Sequence, residues 1–104
     1  MTEYEIVITE TAKKDLTSIS NYITNDLLER SIAQKLMNTM ESEILSLVQM
    51  LLRNALVNDE RLAGLGIRKT IVENYLVFYT VSEQQKTVQI IRVLYGRRDW
   101  INLL

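Results

Sequence analysis

The sequence predicts an α+β fold, β-α-α-β-β-β in chain order, with an antiparallel sheet packed against a two-helix hairpin. Three observations predict it. A short β-branched run stands near the start, two stretches with apolar residues at helical spacing follow, and the last third holds three strand-like segments separated by polar turns. At 104 residues, 47% hydrophobic and 24% charged, residues 1–104 have the make-up of a single globular domain.

The first run, Tyr4-Glu5-Ile6-Val7-Ile8-Thr9, is β-branched with partial alternation, and Thr9 or Thr11 then offers a hydroxyl to cap a helix. From Ala12 the apolar positions Ala12, Leu16, Ile19 and Ile23 are spaced four, three and four, with Lys13, Lys14, Asp15 and Asn21 on the other side. Asn25 to Arg30 interrupts this stripe. A second one, Ala33, Leu36, Met37, Met40, Ile44, Leu47, Val48 and Leu51, predicts another helix and hence an antiparallel hairpin, its methionines filling core gaps. Arg53 to Gly66 has mixed polarity and two glycines near its end, and reads as a loop. Ile67–Val72, Tyr75–Val81 and Thr87–Leu94 then read as an antiparallel meander, joined by the two-residue turn Glu73-Asn74 and the longer Ser82–Lys86. In the last segment Val88, Ile90, Arg92 and Leu94 alternate with Gln89, Ile91, Val93 and Tyr95. Both faces are largely apolar, as expected of a central strand with helices on one side and a partly covered surface on the other.

The chain has no cysteine and no histidine, which excludes disulfides, thiolate nucleophiles, Cys/His zinc sites and any Ser-His or Cys-His pair. No carboxylate set completes a magnesium site, so neither metal nor other cofactor is expected. Apolar runs such as Met50-Leu51-Leu52 fall far short of the roughly 20 residues of a membrane span, and the start carries acids where a secretory signal carries bases. A cytoplasmic protein is expected. Charge is uneven: residues 1–60 hold five basic side chains (Lys13, Lys14, Arg30, Lys35, Arg53) against ten acids, whereas residues 61–104 hold seven (Arg61, Arg68, Lys69, Lys86, Arg92, Arg97, Arg98) against three. That split suggests one face for an anionic surface, or else scatter over a solvated one.

Four pieces of sequence carry a resemblance to the RelE/ParE toxin superfamily. They are Thr11-Ala12-Lys13-Lys14-Asp15-Leu16 with Ile19 and Tyr22-Ile23; Gly66-Ile67-Arg68-Lys69; Asn74-Tyr75-Leu76-Val77-Phe78-Tyr79; and Ile91-Arg92-Val93-Leu94-Tyr95-Gly96-Arg97-Arg98-Asp99-Trp100. The last is the most specific, a strand running straight into Arg-Arg-Asp. The chain departs from the family pattern in lacking a proline after the second helix, and in carrying Tyr95 where many members have histidine.

The resemblance implies the toxin of a type II toxin–antitoxin, plasmid-stabilising module, with a cognate antitoxin as partner, and it leaves two activities open. RelE-like relatives imply a metal-independent endoribonuclease that cuts messenger RNA on the ribosome. Such a site must accept the 2′-hydroxyl proton, stabilise phosphorane charge and protonate the leaving oxygen. Arg68, Arg97 and Arg98 suit the charge, with Lys69 and Arg92 behind them as substrate-binding residues. Tyr95 or Tyr79 would move the proton if cations stabilised the phenolate, or stack on a base; Tyr79 on a strand also reads as core. ParE-like relatives imply instead a non-enzymatic inhibitor of DNA gyrase, which needs a shaped surface and no acid–base pair. The near-zero net charge of −1 leans slightly that way, because affinity for RNA depends heavily on neutralising phosphate, whereas the Arg97-Arg98 pair beside Tyr95 leans towards the nuclease, which is the first expectation with the gyrase inhibitor as its alternative. Asp99 and Trp100 read as structural, Asp99 capping or pairing and Trp100 packing against the helices.

Overall fold

The computed structural model describes residues 4–49, 55–97 and 100–104. Leu51, Arg53, Arg98 and Asp99 lie outside the described residues. The elements are β1 (Glu5–Ile8), α1 (Glu10–Asn21) continued by a π turn (Tyr22–Asp26), α2 (Arg30–Ser46), α3 (Glu60–Gly64), β2 (Arg68–Val72), β3 (Tyr75–Ser82), β4 (Thr87–Tyr95) and a final 3₁₀ turn (Trp100–Asn102). The strands form one sheet in the order β1-β4-β3-β2. β2, β3 and β4 are the antiparallel meander expected from the sequence, and β1 lies parallel beside β4, which makes the sheet mixed and β4 central.

Thr9 sets the junction between strand and helix. Its hydroxyl oxygen accepts from the Ala12 N–H (3.2 Å) as the α1 N-cap, and the same hydroxyl donates to the Ile90 carbonyl (2.9 Å) of β4. One side chain therefore ends β1, starts α1 and fixes both on the sheet. The hairpin then buries Ala12 and Ile23 from its first arm, Ala33, Leu36, Met40 and Ile44 from α2, and Leu47 at its C-cap. They pack on Val72, Val77, Tyr79, Val88, Ile90 and Val93 of the sheet. Each large aliphatic side chain so removed from water stabilises the fold by about 1.5–3 kcal/mol.

The far face of the sheet is covered as well. Leu76, Phe78 and Leu94 pack with Val57, Leu62 and Ile67, and Trp100, Leu103 and Leu104 close over them. Trp100 lies on Phe78 (centroids 5.2 Å apart), on the face away from the hairpin and not against the helices as expected, because Phe78 and the helix-facing Tyr79 point to opposite sides of β3.

Two further expectations are corrected. The presumed loop 53–66 contains α3, whose N-cap Asp59 accepts from the Leu62 N–H at 3.0 Å, and Leu56 forms an isolated bridge with Arg68. The alternation of β4 is broken by a β-bulge: Phe78 stands opposite Arg92 while Tyr79 stands opposite Ile90, leaving Ile91 as the extra residue. Val88, Ile90 and Val93 thus all face the hairpin.

Candidate functional site

The far ends of β3 and β4, the β2–β3 turn and the tip of the hairpin meet at one end of the molecule. Tyr75 and Tyr95 are cross-strand partners, with ring centroids 5.7 Å apart at 71°, an edge-to-face contact. The next residue, Gly96, donates its N–H to the Asn74 carbonyl at 2.8 Å. A Cβ there would meet that same oxygen at 3.2 Å, so glycine lets the chain turn close to the β2–β3 turn. Arg97 follows, exposed. Burial holds the Tyr75 hydroxyl above its ordinary pKa, and neighbouring Tyr95 and Tyr22 add to the rise. Tyr75 is consequently a neutral, packed phenol.

Tyr22 enters this group from the π turn, where the Leu27 N–H donates to the Tyr22 carbonyl at 3.1 Å. The turn keeps Ile23 buried while leaving Tyr22 54% exposed. A cleft of about 440 Å³ runs between turn and sheet, lined by Tyr22, Leu27, Ile32, Lys35, Glu73 and Tyr75 among others. Past the π turn Leu28 is 81% exposed and has φ +56°, a left-handed conformation that a residue with Cβ adopts at a cost of order 1–2 kcal/mol. Among the described residues this end brings together Tyr22, Tyr75 and Tyr95, exposed Leu27 and Ile32, and exposed Arg97; tyrosine and arginine are side-chain types enriched at protein–protein interfaces. Tyr22 was absent from the residues picked by sequence. Its signals in the sequence are its place in the first motif of the resemblance and an aromatic one position off the apolar stripe.

The other sequence candidates are dispersed. Tyr79 is fully buried under the hairpin. Arg68 is its cross-strand partner, whereas Tyr95 partners Tyr75, which partners Val72 at the other end of β2. Four residues along a strand and two strand spacings across separate Arg68 from Tyr95 by about 16 Å of backbone. Buried Val72, Val77 and Val93, beneath the hairpin, occupy that face between them. Lys69 is on the opposite face, its ammonium 4.8 Å from the centre of the Trp100 ring.

Arg92 is engaged within the fold. Its Nε and Nη2 donate to the two Asp15 carboxylate oxygens at 2.8 and 3.0 Å, and its Nη1 donates to the Leu103 carbonyl at 2.9 Å. Asp15 also accepts the Val93 N–H at 3.0 Å. The Asp15 hydrogen bonds hold the Arg92 guanidinium pKa above its ordinary value, outweighing partial burial. The aspartate placed by periodicity on the solvent side of α1 instead covers the edge of β4 beyond the end of β1. Among the described residues, Arg68, Lys69 and Arg92 therefore do not gather on one face. Among the described residues no group of three or more Asp or Glu converges as metal ligands would, and no helix is long and apolar enough to cross a membrane.

Comparison with known proteins bears on this arrangement. The family model described as the ParE toxin of the type II toxin–antitoxin system, parDE, matches residues 6–100. Among solved structures, the chromosomal ParDE toxin–antitoxin system of P. aeruginosa superposes with TM-score 0.73 at 21% identity, covering 91% of this chain and 98% of that one. The RelBE2 toxin–antitoxin complex of Mycobacterium tuberculosis gives TM-score 0.56 at 21% identity, covering 89% and 98%. No protein of curated function matches at comparable significance.

Proposed function

Because the chain belongs to the ParE toxin family of type II toxin–antitoxin systems, we propose that it acts by binding, as an inhibitor of DNA gyrase, and that a cognate antitoxin holds it in check. The observation that carries this reading is the strand register. It places Arg68 at the opposite end of the sheet from Tyr95 and Arg97, and buries Tyr79. A general acid or base must come within about 3 Å of the proton it moves, and among the described residues Arg68, Tyr79 and Tyr95 do not converge on such a point. At the other end, Tyr95 joins Tyr22 and Tyr75 in an aromatic surface beside Arg97, and tyrosine and arginine are enriched among protein–protein hot spots.

Ribosome-dependent cleavage of messenger RNA is the competing activity, and one induction experiment separates them. After expression in cells, message 5′ ends and DNA breaks are mapped within minutes. The expected result is gyrase-dependent breaks with coding regions uncut. Arg97→Ala should weaken target binding by about tenfold or more, the scale of an interface arginine, with no change in melting temperature. Translation-dependent cuts in coding regions with intact DNA would overturn the proposal.

A further inference from the structure

The cleft at the hairpin tip has one flank of α2 as a wall, formed by Glu29 at the N-cap and by Ile32, Lys35 and Thr39. Its apolar lining is open to solvent at three large side chains, Tyr22, Leu27 and Ile32, which are 54%, 51% and 53% exposed. Exposed apolar area gathered in one place on a small domain is characteristic of surfaces that associate. Glu29 and Lys35 are exposed as well, and among the described residues neither side chain is ion-paired within the chain. They stand six positions apart, beyond the three or four at which side chains on one helix meet.

The two charges are related by a twofold axis through Ile32. From helix geometry, Glu29 lies about 4.5 Å before Ile32 along the axis and about 60° to one side, and Lys35 about 4.5 Å beyond it and about 60° to the other. A half-turn about a line through Ile32, perpendicular to α2, therefore carries Glu29 onto the place of Lys35. A second α2 laid antiparallel on the first sets Ile32 against Ile32 and each Glu29 beside the opposite Lys35, a contact that closes on itself. A partner of a single sign fits the cleft less well, since an acidic segment meets Glu29 and Glu73 and a basic one meets Lys35. A second copy presents both signs in reversed order.

We infer that this flank of α2 is a self-association site, at which two copies of the chain pair antiparallel about Ile32 through two reciprocal Glu29–Lys35 contacts. Tyr22 and Tyr75 line the cleft that the second copy enters, so a paired chain has part of its aromatic end covered. That this cover competes with the target rests on the proposed function; the pairing itself does not.

Sedimentation equilibrium of the full chain tests the pairing. An interface built on one helix flank belongs to the small, transient class, so a dimer dissociation constant on the order of 10 μM is expected. Lys35→Glu and Glu29→Lys should each raise it by about tenfold, because one change breaks both contacts and sets like charges together at two places. The double variant carrying both changes re-forms each contact with its signs exchanged and should associate within about threefold of the parent. A second arm uses the absence of cysteine from the chain. Helices packed about 8–10 Å apart bring residues on a twofold axis within disulfide reach, so Ile32→Cys should link into a dimer under a mild oxidant. Asn38→Cys, exposed about 120° away around α2, should stay unlinked. Thermal melts at low concentration confirm that each variant is folded. A parent chain still monomeric at about 100 μM overturns the inference. So does a dimer that neither charge reversal weakens, one that the double variant fails to restore, or one that links through Asn38→Cys in preference to Ile32→Cys. Neither arm contains gyrase, so these failures leave the proposed function standing, and a chain without effect on gyrase leaves the pairing standing.

Discussion

Replacing Asp15 with alanine tests the internal tie on which the C-terminal third depends. Three donors converge on its carboxylate, Arg92 Nε at 2.8 Å, Arg92 Nη2 at 3.0 Å and the Val93 N–H at 3.0 Å, and the two side chains are only 14% and 21% exposed. Asp15→Ala leaves a part-buried guanidinium still bound to the Leu103 carbonyl and a strand N–H without its acceptor. Hydrogen bonds to charged groups contribute about 1.5–3 kcal/mol each, and the residual exposure reduces the sum, so a loss of about 3 kcal/mol is expected. For a domain of this size that lowers the melting temperature by roughly 12–15 °C. Asp15→Asn keeps an acceptor for Val93 and should lose about half as much. In the Asp15→Ala/Arg92→Ala double variant the losses should fall short of additivity by about 1 kcal/mol or more, since either change alone breaks the pair. Urea and thermal melts followed by circular dichroism measure all five proteins, the parent, Asp15→Ala, Asp15→Asn, Arg92→Ala and the double variant. A single-variant loss under about 0.5 kcal/mol, or simple additivity, would refute the tie.

Three other outcomes follow from the same geometry. Tyr75 favours its neutral form in the folded chain. Stability should therefore be full below the unfolded tyrosine pKa of about 10 and fall as pH rises through the higher folded value; Tyr75→Phe should flatten that fall in melts taken across alkaline pH, and an unchanged fall would contradict the assignment. Leu28→Gly relieves the φ of +56° and should stabilise the fold by about 1 kcal/mol, seen as a rise in urea midpoint; if the midpoint drops, the strain argument is wrong. Tyr95→Phe keeps the edge contact with Tyr75 and should stay toxic, whereas Tyr95→Ala should not; loss of toxicity on removing the hydroxyl alone would point back to proton transfer.

Periodicity in the sequence reached most of the elements, because each helix long enough to bury a stripe displays it: Ala33, Leu36, Met40, Ile44 and Leu47 are both the repeat and the core. The five-residue α3 is shorter than two turns, so it shows no repeat, and only Asp59 ahead of Glu60-Arg61-Leu62 marked its start. The bulge at Ile91 was hidden for the opposite reason. With apolar residues on both faces of β4, a shift by one residue exposes nothing polar and leaves no trace in the pattern. The candidate site suffered most, since adjacency across strands is set by register. Arg68 and Tyr95 share a basic, β-rich stretch of sequence yet stand at opposite ends of the sheet, while Asp15 and Arg92, 77 residues apart, grip one another. Tyr22 stands beside buried Ile23 at the start of the π turn and neighbours Tyr75, a proximity between hairpin and sheet that spacing along the chain does not encode.

The most direct test uses purified components. The chain is added to gyrase with relaxed plasmid and, in parallel, to ribosomes programmed with a defined message, each with Arg97→Ala as control. The proposed function predicts lost supercoiling with the parent chain, restored supercoiling with Arg97→Ala, and an uncut message in both. A message cut on the ribosome while gyrase supercoils normally would contradict it.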